Sequence, residues 1–240
     1  MSRELTILYA SKKPDIKRRL EEFKQIWWQP EHKIFAELVF CLCTPQSKAS
    51  ICNSAVKKLE EQNLLLTGDE KQIAEILSKT GVRFSNNKAS YVVKAREYFM
   101  KDGQIKIKPK INTDDIRGLR EWLAENIPGL GMKEASHFLR NIGFGQDVAI
   151  LDRHILRSLV DYGVVKEIPN TLTKQKYLEI EQKMREFSKK ASISMDELDM
   201  LFWSEYGSLS IEEMKLFLLH SFSFLFQFLR QRNIKNLPMF

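Results

Sequence analysis

The sequence predicts an all-α fold, and three observations carry that prediction. Apolar residues recur at spacings of three and four along most of the 240 residues, the period of a helix face. Runs that alternate with period two, as a half-buried strand does, are few. Asp, Ser, Thr, Pro and Gly punctuate the periodic stretches where helices start and stop. A chain of this length holds one large or two small domains with a substantial core.

Residues 15–28 place Ile16, Leu20, Phe23 and Trp27 on one face and open the helical series, with Trp27 and Trp28 read as packing residues. Residues 32–43 form a second apolar helix. Thr44-Pro45-Gln46-Ser47 reads as the start of a third: threonine caps, and proline fits the first helical position, where no N–H is needed. Gln46 then falls in an exposed first turn, and Ile51, Ala55 and Leu59 complete the buried face. Asp69 caps a helix carrying Ile73, Ile76 and Leu77, and Gly81 ends it. The polar loop 81–88 carries Arg83 and Phe84, and another helix follows to Phe99. Gln104-Ile-Lys-Ile-Lys-Pro-Lys110 alternates apolar and basic residues. It reads as a solvated loop in preference to a short strand or a phosphate-tracking connector.

Ile116, Leu119, Leu123 and Ile127 mark a helix capped by Thr113 or Asp114, and Ala135, Phe138, Leu139 and Ile142 mark the next, closed by Gly143. Between them stands Pro128-Gly129-Leu130-Gly131. Glycines let the backbone approach another molecule closely, and the amides that open the second helix favour an anion. The turn is therefore either a plain helix–turn–helix corner or a phosphate cradle without side-chain charge. Lys133 lies two residues before Ala135, about 200° around the helix from it, so it points off the apolar stripe. A lysine amine attacks only when neutral, which its reference pKa of ~10.4 opposes unless the site lowers it. Asp152, 19 residues further on, follows the apolar run 148–151 and precedes Ile155, Leu156, Leu159 and Val160. It is an N-cap by position, and a capping carboxylate can also face a cleft. Tyr177, Ile180, Met184 and Phe187 mark a further helix. Ser194 caps another with Leu198, Leu201 and Phe202.

The formal net charge of +7, 38 bases against 31 acids, fits a polyanionic partner without requiring one. Cys41, Cys43 and Cys52 are too few for a four-cysteine iron–sulfur cluster. They read as buried, reduced thiols, and no metal or other cofactor is expected. Met1-Ser-Arg-Glu leads into charged, polar sequence, which predicts no signal peptide and a cytoplasmic protein.

Pro128-Gly-Leu-Gly-x-Lys133 with Asp152-x-His154 resembles the helix–hairpin–helix, Gly/Pro…Asp superfamily of DNA glycosylases. More narrowly, Gly131-Met-Lys-Glu-Ala-Ser-His-Phe-Leu-Arg-Asn-Ile-Gly143 and Ala149-Ile-Leu-Asp-Arg-His-Ile155 resemble the 8-oxoguanine DNA glycosylase/lyases of archaea and some bacteria, over about residues 15–207. The resemblance implies two helical subdomains flanking a DNA-binding cleft, and double-stranded DNA with a damaged base as partner of a monomer. It implies that Lys133 is the attacking amine, that Asp152 is the catalytic carboxylate, and that Gly129 and Gly131 grip a phosphate. Ser47, Lys48, Arg153 and His154 are further DNA-binding candidates. By the same resemblance Gln46 enters the duplex and fills the space of a flipped base, where position alone makes it a solvated glutamine. Phe84 and Trp203 are candidates to stack on the base, each against a rival reading as core.

The resemblance has a limit. Chains of that family end shortly after their last helix with a lysine that helps recognise the base, whereas here Gly207-Ser-Leu-Ser-Ile211 has none and about 30 residues follow. The fold is expected over 1–210, with 211–240 an extension. Met214–Leu229 is apolar but shorter than the ~20 residues of a membrane span. It reads as a helix that covers a surface or self-associates, or lies on a membrane surface. Two functions stand: a glycosylase/lyase that excises 8-oxoguanine through a lysine Schiff base and nicks the strand by β-elimination, and a non-catalytic helix–hairpin–helix DNA-binding module.

Overall fold

Asp69, Asp152 and Thr173 each stand just before an apolar period, and each caps a helix through its side chain. Such a cap contributes about 1 kcal/mol. The structure, a computed structural model, describes residues 3–206. Residues 207–240, including the stretch Met214–Leu229, lie outside the described residues. Among those described, the fold is all-α apart from one small hairpin. The helices are α1 (Arg3–Trp27), α2 (Glu31–Cys43), α3 (Ala49–Glu61), the single turn α4 (Leu64–Thr67), α5 (Glu70–Thr80), α6 (Ser85–Phe99), α7 (Ile116–Asn126), α8 (Met132–Asn141), α9 (Arg153–Asp161), α10 (Lys174–Ala191) and α11 (Met195–Tyr206). None is long and apolar enough to cross a membrane.

Two hydrophobic clusters lie within residues 3–203. The first is built on α2, whose Ile34, Phe35, Leu38 and Val39 are fully buried, and gathers α3, α5, α6, α7 and α8 around it. A helix apolar on most of its circumference belongs at the centre of a core, and each fully buried Leu or Phe contributes ~1.5–3 kcal/mol. The second joins the start of α1 to α9, α10 and α11 through Leu5, Ile16, Leu159, Met184 and Phe202. Val148 belongs to the first cluster, and Ala149 and Leu151 to the second. The chain therefore passes from one core to the other just before Asp152.

Several boundaries differ from the sequence expectations. Helix α1 begins at Arg3 rather than near 15 and carries Pro14 inside, anchored by buried Leu5. Trp27 packs edge-on against Phe144 with ring centres 5.1 Å apart, but Trp28 is 75% exposed and is not a packing residue. The N-cap of α7 is Asp115, not Thr113 or Asp114. Thr44 and Pro45 do not open α3. The Thr44 hydroxyl donates back to the Cys41 carbonyl at 2.8 Å, which closes α2, and α3 starts only at Ala49.

Residues 104–110 are not a solvated loop. Met100–Lys101 (β1) pairs antiparallel with Gln104–Ile105 (β2) across Asp102 and Gly103, both with positive φ, the requirement of a two-residue hairpin turn of type I′. Ile105 and Ile107 are buried, and Glu31 accepts the N–H groups of Ile107 and Lys108 at 2.7 and 3.1 Å. Cys41, Cys43 and Cys52 are free and buried. Burial pushes their thiols up, to about 12 for Cys43 and about 11 for Cys52, so none is poised as a nucleophile.

Candidate active site

The corner between α7 and α8 is tight because Leu130 N–H turns back to the Ile127 carbonyl at 3.1 Å. Gly129 has φ +91°, and a Cβ there would lie 2.4 Å from Cδ2 of Tyr91. The close approach this glycine permits is thus to the chain's own Tyr91. Gly131 is the N-cap of α8 and has no side chain to accept its first amides. Those amides are left for an acceptor from outside, at the positive end of the helix dipole.

Lys133 sits in that first turn. Its side chain is one-quarter exposed, and its ammonium is 2.9 Å from Glu134 Oε1. Burial, aided by the charges of Arg140 and Lys133, pushes His137 on the same helix well below its ordinary value, which keeps this imidazole neutral. Asp152 is half-buried and caps α9: Oδ1 accepts the N–H groups of His154 and Ile155, both at 2.8 Å. Oδ2 takes part in neither bond.

The two elements that carry these residues meet at one side chain. Tyr177 of α10 donates to the Ala149 carbonyl at 2.6 Å, accepts Leu151 N–H at 3.3 Å, and lies 3.4 Å from Ser136 Oγ of α8. Beside it, Glu181 accepts Ala149 N–H at 2.7 Å and pairs with the fully buried Arg120. Arg185 holds the Asp147 carbonyl at 2.9 Å. The extended stretch that delivers Asp152 is therefore pinned by side chains of α10 rather than by a sheet.

The hairpin glycines and the lysine in the turn after them thus stand at the start of α8, and the capping aspartate at the start of α9. A family model described as 8-oxoguanine DNA glycosylase matches residues 16–193. The chain is 48% identical over 202 residues, 83% of its own length and 92% of the relative's, to an 8-oxoguanine DNA glycosylase/AP lyase of Fusobacterium nucleatum. The chain belongs to the 8-oxoguanine DNA glycosylase family. Solved structures agree. The Methanocaldococcus jannaschii 8-oxoguanine glycosylase/lyase, in complex with a 15mer DNA containing 8-oxoguanine, superposes with a TM-score of 0.73 at 36% identity, over 81% of this chain and 90% of that one. The 8-oxoguanine DNA glycosylase of Thermotoga maritima gives 0.75 at 32% identity, over 85% and 94%.

The other candidate residues lie on several elements. Gln46 is exposed but lies in the turn between α2 and α3 with φ +56°, not in the first turn of a helix. That turn is built by Lys88, a buried lysine whose ammonium donates to the carbonyls of Cys43 and Pro45, both at 2.7 Å, and to Ser47 Oγ at 3.2 Å. The Ser47 hydroxyl also accepts Arg83 N–H at 3.0 Å, so it is engaged within the protein. Lys48 is exposed at the N-cap of α3, Arg153 is exposed, and His154 is half-buried. Phe84 is not a core residue: it is 54% exposed and left-handed at the N-cap of α6, with the Arg83 guanidinium 5.5 Å from its ring. Trp203 is half-buried.

Sequence reasoning missed Lys88, Glu134, Tyr177 and Asp199. Asp199 pairs with Arg140 at 3.0 Å. Its carboxyl is pushed up to about 7, first by burial and then by Asp152 and Asp196, against the pull of Arg140. Its place in the apolar pattern of α11 gave no sign of this. A separate surface cavity of about 530 Å³, lined among others by Pro30, Glu31, His32, Asn63 and Lys106, contains none of the candidate residues. Among the described residues no His, Cys, Asp and Glu side chains group as metal ligands.

Proposed function

We infer that this protein excises 8-oxoguanine from duplex DNA and cleaves the strand at the abasic site that results, with Lys133 as nucleophile and Asp152 as its carboxylate partner. The supporting observation is the position of Lys133 in the first turn after the hairpin glycines, with Asp152 brought up by a stretch that is tied through Tyr177 to the same helix. The target nucleotide leaves the stack, because an enzyme cannot reach the sugar of a paired base otherwise. The amides opening α8 hold a backbone phosphate beside it.

The chemistry needs no oxidant or reductant, only proton transfers. An ammonium cannot attack, so Lys133 first gives up a proton to solvent; its amine then bonds to C1′ as the glycosidic bond breaks, the nitrogen sheds a proton and the departing nucleobase takes one up. Asp152, its carboxylate fixed by two amides, stabilises positive charge that develops on the sugar. The sugar ring opens to a Schiff base on Lys133. A base then takes a proton from C2′, the C3′–O bond breaks, and the strand is cut 3′ to the site. Gln46 fills the space of the extruded base, Phe84 and Trp203 stack on it, and Lys48, Arg153 and His154 meet the DNA around it. Such a protein works where DNA is, and the cytoplasm is its proposed location.

The test is excision and nicking of a labelled duplex with one 8-oxoguanine opposite cytosine. Wild type is expected to cut at the lesion. Lys133→Gln is expected to bind the same duplex within a few-fold and to leave it uncut. Binding without any cutting by the wild type would leave a DNA-binding module in place of an enzyme.

A further inference from the structure

We propose that Tyr177 is a positioning residue whose hydroxyl sets Asp152 against Lys133. The inference rests on the catalytic reading above and deepens it. Residues 148–151 have no sheet partner among the described residues, so their backbone groups must find other partners. Tyr177 supplies two of them: its proton goes to the Ala149 carbonyl at 2.6 Å and its oxygen takes Leu151 N–H at 3.3 Å. Leu151 immediately precedes Asp152, and a close turn from Asp152 N–H to the Ile150 carbonyl, 2.7 Å, passes the constraint on.

On its other side the same oxygen lies 3.4 Å from Ser136 Oγ. Ser136 is one turn beyond Lys133 on α8, a spacing that puts two side chains on neighbouring parts of one helix surface. One phenol thus references the helix of the nucleophile and the segment of the carboxylate to a single point. Burial pushes this phenol well above its ordinary value, so it stays a donor throughout the working pH range. Its ring, with the Arg120 guanidinium 5.7 Å from the centroid, is 2% exposed and cannot itself touch DNA. A misplacement of about 1 Å at a reacting group can cost ~100-fold in rate, so loosening this point is expected to matter.

The experiment is single-turnover excision by the full chain, with affinity for the same duplex measured in parallel. Tyr177→Phe keeps the ring and removes the hydroxyl, and each variant is assayed well below its own melting temperature. The expected result is a roughly tenfold to hundredfold slower excision with Kd within about twofold. In an Asp152→Asn background, the same substitution is expected to change the rate less than about twofold, because a residue that acts through Asp152 has nothing left to position. Ser136→Ala, which removes only the hydroxyl that ties this point to α8, is the second variant and is expected to slow excision in the same direction with Kd within about twofold and with little further change in the Asp152→Asn background. An unchanged rate in Tyr177→Phe, an equal loss in both backgrounds, or a Kd that rises with the lost rate overturns the proposal. If Asp152→Asn alone leaves excision at the wild-type rate, the catalytic reading itself fails, and that outcome is distinct from the others.

Discussion

Replacing Gly129 with alanine puts a methyl group where the ring of Tyr91 already is. The added Cβ would lie 2.4, 2.7 and 3.0 Å from three ring carbons, so the ring or the hairpin has to move. Overpacking of this kind costs ~1–3 kcal/mol. The residue also keeps φ at +91°, and a left-handed L-residue adds ~1–2 kcal/mol. Together these give about 2–5 kcal/mol, or roughly 5–20 °C in melting temperature for a chain of this size. Gly163 is the internal control: its φ is +68°, but an added Cβ meets nothing within 4 Å, so Gly163→Ala pays only the dihedral cost. Thermal melting by circular dichroism reads both variants. Gly129→Ala is also expected to lose affinity for DNA, since any shift of the corner displaces the amides that open α8. If it melts no lower than Gly163→Ala and binds DNA as wild type does, the corner is not built as argued.

Three other outcomes follow from the same geometry. Arg120→Met removes the fully buried partner of Glu181 and leaves that side chain only the longer ion pair to Arg185 at 3.5 Å; breaking a buried pair outright costs ~3–5 kcal/mol, so with Arg185 still present a loss of about 2–4 kcal/mol is expected in denaturant unfolding, and one under about 1 kcal/mol would contradict this. Asp199 has a folded-state value raised to about 7 from an ordinary 3.8, so the folded protein binds this proton more tightly than the unfolded chain. The stability this contributes is present at low pH and is lost as pH rises from about 4 through 7, so wild type is expected to lose stability relative to Asp199→Asn across that window; a constant difference would refute it. Phe84→Ala removes an exposed ring from a helix start, and if that ring stacks on the base, catalytic efficiency on the lesion drops by the ~1–3 kcal/mol of one stacking contact; a fall in stability with unchanged activity would make it a packing residue instead.

The signals that sequence carries well here are local ones. Asp69 and Asp152 before apolar periods, Gly81 and Gly143 after them, and the Pro128–Gly131 corner each describe a backbone within a few residues of themselves, and each is where the sequence places it. Thr44-Pro45 misled because Thr and Pro serve at either end of a helix. Here the proline stops α2, and the residues after it turn through a left-handed Gln46. Asp102-Gly103 was a legible hairpin signal, masked by strands of two residues each. What the sequence could not carry is tertiary satisfaction of buried polar groups. Lys88 closes a polar-looking segment yet is 3% exposed because three acceptors 41–45 positions away surround its ammonium. Arg120 and Glu181, 61 positions apart, find each other only in the fold. Tyr177 reads as one more apolar period residue, and nothing in its spacing announces that its hydroxyl bridges two functional elements.

The account stands on Lys133 forming a covalent bond to the sugar, and borohydride trapping reads that bond directly. With a labelled duplex bearing one 8-oxoguanine opposite cytosine, wild type is expected to give a DNA-linked species that survives denaturation. An undamaged duplex, or Lys133→Gln on the lesion duplex, is expected to give none. A trapped species that persists in Lys133→Gln, or none with either the lesion or an abasic-site duplex, would contradict the central claim.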